Sequence, residues 1–149
     1  MAATIGELTA MTQEQLDDLF RRADVGPIPN GDGEGTAIVA PGTPIEGIAA
    51  RFAHWLAWQG KVVDAAKGEL LNKVGPFGVR AIRAKVYRAP SWFDGRDAII
   101  LDYSKTSLVA HKIRDEIREI APGTYLGQVY WGRVRILNFV LTFGRGQAS

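Results

Sequence analysis

The chain contains no cysteine, which removes disulfide staples, thiolate metal sites and a cysteine nucleophile together. It also lacks a long apolar run. The longest nearly uncharged stretch, Ile45 to Trp58, is interrupted by Glu46, Arg51 and His54 and falls short of the roughly 20 apolar residues a membrane span requires. No membrane span is expected. Met1 to Met11 has no basic segment ahead of an apolar run and contains Glu7, so no secretory signal is legible and a cytoplasmic location is the default expectation. An excess of one charge is missing too. With 18 basic and 16 acidic side chains and a net charge of +2, the chain is too balanced to gain affinity mainly by neutralising phosphates, and nucleic acid is not an expected partner. Histidine is scarce: His54 and His111 stand far apart in sequence, too little for a zinc site and too unspecific for haem ligation. No metal and no cofactor is expected.

What is present is enough apolar side chain, 46% of 149 residues, to bury a core in one domain. Residues 1–60 read as a helical and loop N-terminal part. Thr12 to Ala23 is a predicted helix, because Thr12 can cap, Gln15 stands three residues on and Met11 can staple onto Leu16. Leu16, Leu19, Phe20 and Ala23 form its apolar stripe. Prolines and glycines from Gly26 to Pro44 make that segment mostly loop, with a short strand at Thr36 to Ala40. Thr43-Pro44-Ile45-Glu46 then announces a second helix, which stops at Gly60. Trp58 faces away from its main stripe and needs a second surface to cover it.

After Gly60 the helical period gives way to short runs divided by turns, the pattern of antiparallel strands from residue 61 to 143. Lys61 to Ala65 and Glu69 to Val74 are short strands, followed by a turn at Gly75 to Gly78. Val79 to Tyr87 pairs with Arg96 to Tyr103 across the Asp94-Gly95 turn. Ser107 to Ile120 fits a helix face or a strand; a helical turn followed by a strand from Ile113 to Ile120 gives Tyr125 to Trp131 the partner it needs. Val134 to Phe143 is the last strand, with Leu137, Phe139, Leu141 and Phe143 on one face and Val134, Ile136, Asn138, Val140 and Thr142 on the other. Both faces are largely apolar, so one should line an interior and the other lie under a helix or a partner subunit. A homodimer is one way to cover it. The fold class is mainly β (α+β): a small antiparallel barrel preceded by two N-terminal helices.

The order Trp58-Gln59-Gly60-Lys61, Leu101-Asp102-Tyr103, Arg114 to Arg118, Tyr125-Leu126-Gly127 and a closing aromatic strand resembles bacterial GXWXG-type proteins of the calycin superfamily. Pro29-Asn30-Gly31 is similar to that family's proline, polar residue, glycine segment. The tryptophan that names the family has no counterpart near Gly26, where Asp24 and Val25 stand. The resemblance implies a lipocalin-like barrel with a cavity for an apolar small molecule, and no established catalytic residues.

Several side chains could carry chemistry inside such a barrel. In a strand over Ile113 to Ile120, Arg114, Glu116 and Arg118 share one face, opposite Asp115, Ile117 and Glu119. An inward arginine would recognise a carboxylate or enolate; the plainer alternative is a solvated face or structural salt bridges. Asp102 interrupts an apolar strand and is either exposed at its end or buried as a candidate general base. Tyr103 and Tyr125 could orient a ligand oxygen or simply pack. Gly31, Gly33 and Gly35 lack the lysine and threonine of a phosphate loop and read as a loop at the barrel mouth. Two functions follow. The first is binding of an apolar or amphipathic small molecule, with Trp58, Tyr103, Arg114, Arg118, Tyr125 and Trp131 as handles. The alternative is a cofactor-independent isomerase or cyclase that uses Asp102, Tyr103 or Asp115 for proton transfer.

Overall fold

The computed structural model describes residues 4–38, 60–74, 79–106 and 111–144. Among them eight strands close into an antiparallel barrel in sequence order: β1 Gly31–Ile38, β2 Gly60–Asp64, β3 Glu69–Val74, β4 Val79–Pro90, β5 Asp97–Asp102, β6 Ile113–Ala121, β7 Thr124–Trp131 and β8 Val134–Phe143. β8 returns to pair with β1, so among the described strands the sheet closes without a free edge strand. Two short helices precede the barrel, α1 Ile5–Thr9 and α2 Gln13–Arg22. The second expected helix and the turn at Gly75 to Gly78 lie outside the described residues, as does Trp58. Among the described residues no helix is long and apolar enough to cross a membrane.

Each local element follows from its sequence. Thr12 and Gln15 form the expected reciprocal cap of α2, and Thr4 with Glu7 does the same for α1, a helix the sequence analysis did not identify. The β4–β5 connection turns at Gly95 and the β6–β7 connection at Gly123, with φ of 77° and 76°, a region that a side chain resists. Gly31 to Gly35 is a correction: these residues belong to β1, which starts well before Thr36. The reason is packing. Gly33 pairs with Phe143, and a Cβ there would stand 2.5 Å from the Phe143 ring. Gly127 makes the same accommodation to Phe139, where a Cβ would be 2.2 Å from Cζ. Glycine in these strands makes room for an aromatic ring across the ladder.

Strand parity divides the apolar residues into two cores. The interior core contains Val63, Leu70, Val86, Ile99, Leu101, Tyr103, Ile117, Tyr125, Phe139, Leu141 and Phe143. The outer core lies under the helices, where Leu8, Leu16 and Phe20 meet Ile38, Ala98, Ile100, Leu126 and Val140. Leu137, Phe139, Leu141 and Phe143 thus face inward, and the helices cover Val140 on the opposite face. Ile136 departs from strict alternation and joins the interior core beside Leu137, next to the register shift at Val129/Tyr130. Each large side chain fully buried in these cores contributes about 1.5–3 kcal/mol of transfer free energy.

The two ends of the barrel differ. At the end where β6 stops and β7 starts, Val25 and Ile28 pack onto the interior core. Tyr125 donates to the Pro27 carbonyl at 2.6 Å, Arg88 donates to the Gly26 carbonyl at 2.9 Å, and Asp24 bridges to Glu119. The segment from Asp24 to Ile28 caps that end. At the opposite end β1, β3, β5 and β7 finish and β2, β4, β6 and β8 begin.

Candidate functional site

Near that second end four polar side chains from four strands meet inside the barrel. Lys61 lies at the start of β2, Asn72 near the end of β3, Tyr103 just past β5 and Asp115 near the start of β6. Register dictates the meeting: Lys61 sits opposite Asn72, and Asp115 sits opposite Leu101, two residues from Tyr103 on the same face. The Lys61 Nζ donates to Asn72 Oδ1 at 2.6 Å and to the Tyr103 hydroxyl at 2.8 Å, and lies 3.1 Å from Asp115 Oδ2. Asn72 Nδ2 donates to the Tyr103 hydroxyl at 2.7 Å, which in turn donates to Asp115 Oδ2 at 3.3 Å. The ammonium also stands 5.5 Å from the ring centroids of Tyr103 and Phe139.

All four side chains are buried, and burial dominates their protonation. Desolvation drives the Lys61 amine below its ordinary value, against the attraction of Asp115. Desolvation also drives the Asp115 carboxyl up, against the lowering influence of Lys61 and Tyr103. The Tyr103 phenol is pushed well above its usual range by burial and by the neighbouring Asp115. The protonation equilibria of Lys61 and Asp115 are thus displaced toward each other. Asp115 Oδ1 is buried without a hydrogen-bond partner among the described residues.

Of the residues singled out from sequence, Tyr103 and Asp115 are brought together. Asp102 is not with them. It points outward at the end of β5, half-buried, and accepts from Tyr87 at 2.7 Å and from the Ser104 amide and hydroxyl at 2.9 and 2.6 Å. Partial burial would raise its carboxyl, but the Ser104 and Tyr87 hydrogen bonds outweigh it and the net displacement is downward, the wrong direction for a general base near neutrality. Tyr125 is interior but at the capped end, edge-on to Phe143 with centroids 5.7 Å apart.

The arginine face of β6 also turns outward, so the inward arginine that would have served as a ligand handle is corrected to the plainer alternative open from sequence, structural salt bridges. Arg118 is fully buried beneath α2 and the β4–β5 connection, not in the interior. Its five donors go to Asp94 Oδ1 and Oδ2, at 2.7 and 2.8 Å, and to the carbonyls of Phe20, Arg96 and Asp97. Arg114 lies on the same outer face and pairs with buried Glu116 at 3.0 Å. Arg114 and Arg133 each place Cζ 4.2 Å from the centroid of the Trp92 ring. These residues, with Asp102, His111, Lys112 and Trp131, border a surface cleft of about 540 Å³. Trp131 is thus separated from the interior cluster.

Sequence reasoning missed Lys61 and Asn72. A signal was there: Lys61 shares parity with Val63, and Asn72 with Leu70. A lysine on an apolar strand face is either at an end or paired in the interior. Among the described residues no group of three or more histidine, aspartate or glutamate side chains could hold a metal ion.

No family model matches the chain, and no curated protein matches it. A crystal structure of a protein from Thermomonospora curvata shares the fold, with a TM-score of 0.63 at 20% identity over 91% of this chain and 89% of that one.

Proposed function

We propose that the barrel binds a small amphipathic molecule, its apolar body among the interior aliphatic and aromatic side chains and its polar end at Lys61, Asn72, Tyr103 and Asp115. On this reading the chain is a calycin-like barrel. The observation that carries it is the buried Asp115 Oδ1, which lacks a partner among the described residues within an otherwise well-connected polar cluster. Leaving such an acceptor unpaired costs about 1–3 kcal/mol or more, and a guest hydroxyl would recover that cost. The surrounding apolar walls favour a hydrocarbon body. Native mass spectrometry with 1-decanol and decanoic acid tests the proposal: a retained one-to-one complex is expected, weakened at least tenfold by Asp115→Leu. Absence of any retained guest across the series overturns it.

A second reading, a cofactor-independent isomerase or cyclase, draws on one further observation. Burial displaces the Lys61 and Asp115 protonation equilibria toward each other, which suits a pair that exchanges protons with a substrate. Asp115 would be the acid and base, and Tyr103 would hold a developing oxyanion. If Asp115→Asn removes turnover of a substrate while leaving its affinity intact, catalysis is the role; if it lowers affinity alone, storage or transport is.

A further inference from the structure

We infer that Lys61 captures a carbonyl-bearing apolar guest, an aldehyde or ketone, as a Schiff base inside the barrel. The inference rests on the binding reading above and names the chemical class of its guest. Three observations support it. Of the six lysines, Lys61 alone is buried, while Lys67, Lys85, Lys105 and Lys112 are exposed and Lys73 is half-buried. Its amine lies in an apolar interior 3.1 Å from a carboxyl that can give and take a proton, and 2.8 Å from a phenol. The same carboxyl keeps its second oxygen unpaired among the described residues.

The chemistry balances with the groups present. Burial lowers the amine and raises the carboxyl, which favours the neutral amine and neutral acid reached by moving one proton across their 3.1 Å contact, and a desolvated neutral amine is a nucleophile. Nζ attacks the carbonyl carbon, a C–N bond forms, and the carbonyl oxygen takes the Asp115 proton. The Asp115 carboxylate then accepts a proton from the nitrogen and returns it to the carbinolamine hydroxyl. The C–O bond breaks, water leaves and the C=N bond forms. The product is a protonated imine facing the Asp115 carboxylate. An exposed lysine with an ordinary pKa near 10.4 is neutral in only about one molecule in a few thousand at pH 7, which gives Lys61 its selectivity.

The test uses the intact protein with equimolar decanal and sodium cyanoborohydride at pH 7, followed by peptide mapping by mass spectrometry. The expected result is a reduced decyl adduct on Lys61 at least tenfold more abundant than on any other lysine, suppressed by excess 1-decanol. Lys61→Arg should lose it. Because that variant can fail to fold, the wild-type map decides. Adducts spread over Lys67, Lys85, Lys105 and Lys112 with Lys61 unmodified overturn the inference. If 1-decanol is retained and Lys61 stays unmodified, imine capture is wrong and guest binding stands. If neither occurs, both are wrong. An adduct on Lys61 without decanol retention upholds capture and removes reversible storage.

Discussion

Strand β6 buries Asp115, Glu116 and Arg118, and the first and last of these, three residues apart, are treated in opposite ways. Arg118, on the outer face, has a partner for every donor, and its carboxylate partner Asp94 keeps some contact with solvent. Asp115, on the inner face, shares one oxygen with Lys61 and Tyr103 and leaves the other unpaired among the described residues. A charge whose hydrogen-bonding capacity is filled by the fold holds elements together, here α2, the β4–β5 connection and β6. A charge left partly unfilled in a nonpolar interior costs stability and retains capacity for something else. The contrast teaches that burial alone does not mark a site. Incomplete satisfaction is what separates Asp115 from Arg118.

The comparison can be broken by substitution. Arg118→Met should cost the most, about 3–5 kcal/mol, because it removes one buried donor set from three main-chain carbonyls and from its carboxylate partner; urea unfolding at neutral pH measures it. Lys61→Met should cost a similar about 3–5 kcal/mol at neutral pH, but its cost should shrink on acidification. In the wild type the amine goes down and the carboxyl goes up, so their displacements oppose each other in the proton balance near neutrality. Without Lys61, the raised Asp115 carboxyl makes the native state bind more protons than the unfolded state above the ordinary value of 3.8. Stability then falls as pH rises from that value toward the folded one. A unfolding series from pH 4 to 8 that stays flat for Lys61→Met contradicts the assignment.

Paired replacements sharpen the contrast further. Lys61→Met with Asp115→Leu should be neutral or more stable than wild type by about 1–4 kcal/mol, whereas Arg118→Met with Asp94→Leu should remain destabilised, since the hydrogen bonds of Arg118 to the carbonyls of Phe20, Arg96 and Asp97 are still lost. Thermal denaturation of the two double variants distinguishes them. The smallest effect is expected from Asp94→Asn, about 1–3 kcal/mol. The Arg118 hydrogen bonds hold the Asp94 carboxyl below its ordinary value of 3.8, so its contribution is present above that value and lost as pH falls through the folded one. The variant should therefore show a shallower acid limb than wild type.

Much of the barrel was legible because period-two alternation and turn chemistry are local. Glu69–Val74 and Val134–Phe143 have the bounds read from sequence, and the hairpin across Asp94-Gly95 pairs as expected. The start of β1 was not legible, because three alternating glycines have loop character until the ring of Phe143 is placed across from Gly33. For the candidate site, the alternation of β6 correctly put Asp115 opposite Arg114, Glu116 and Arg118. What alternation could not say was which face was inside, because both faces carry charge. That depended on the helices, whose Phe20 carbonyl and ring claim Arg118 for the outside. Lys61 stayed hidden because neighbouring Val62 makes the opposite face of its strand apolar as well.

The cap formed by Asp24 to Ile28 has a kinetic corollary. If the proposed guest binds, the end covered by Asp24 to Ile28 is closed to it, so arrival and departure would share the opposite end and a second occupant would wait for the first to leave. Exchange should be sequential, with a displacement rate that stays constant however much competitor is added.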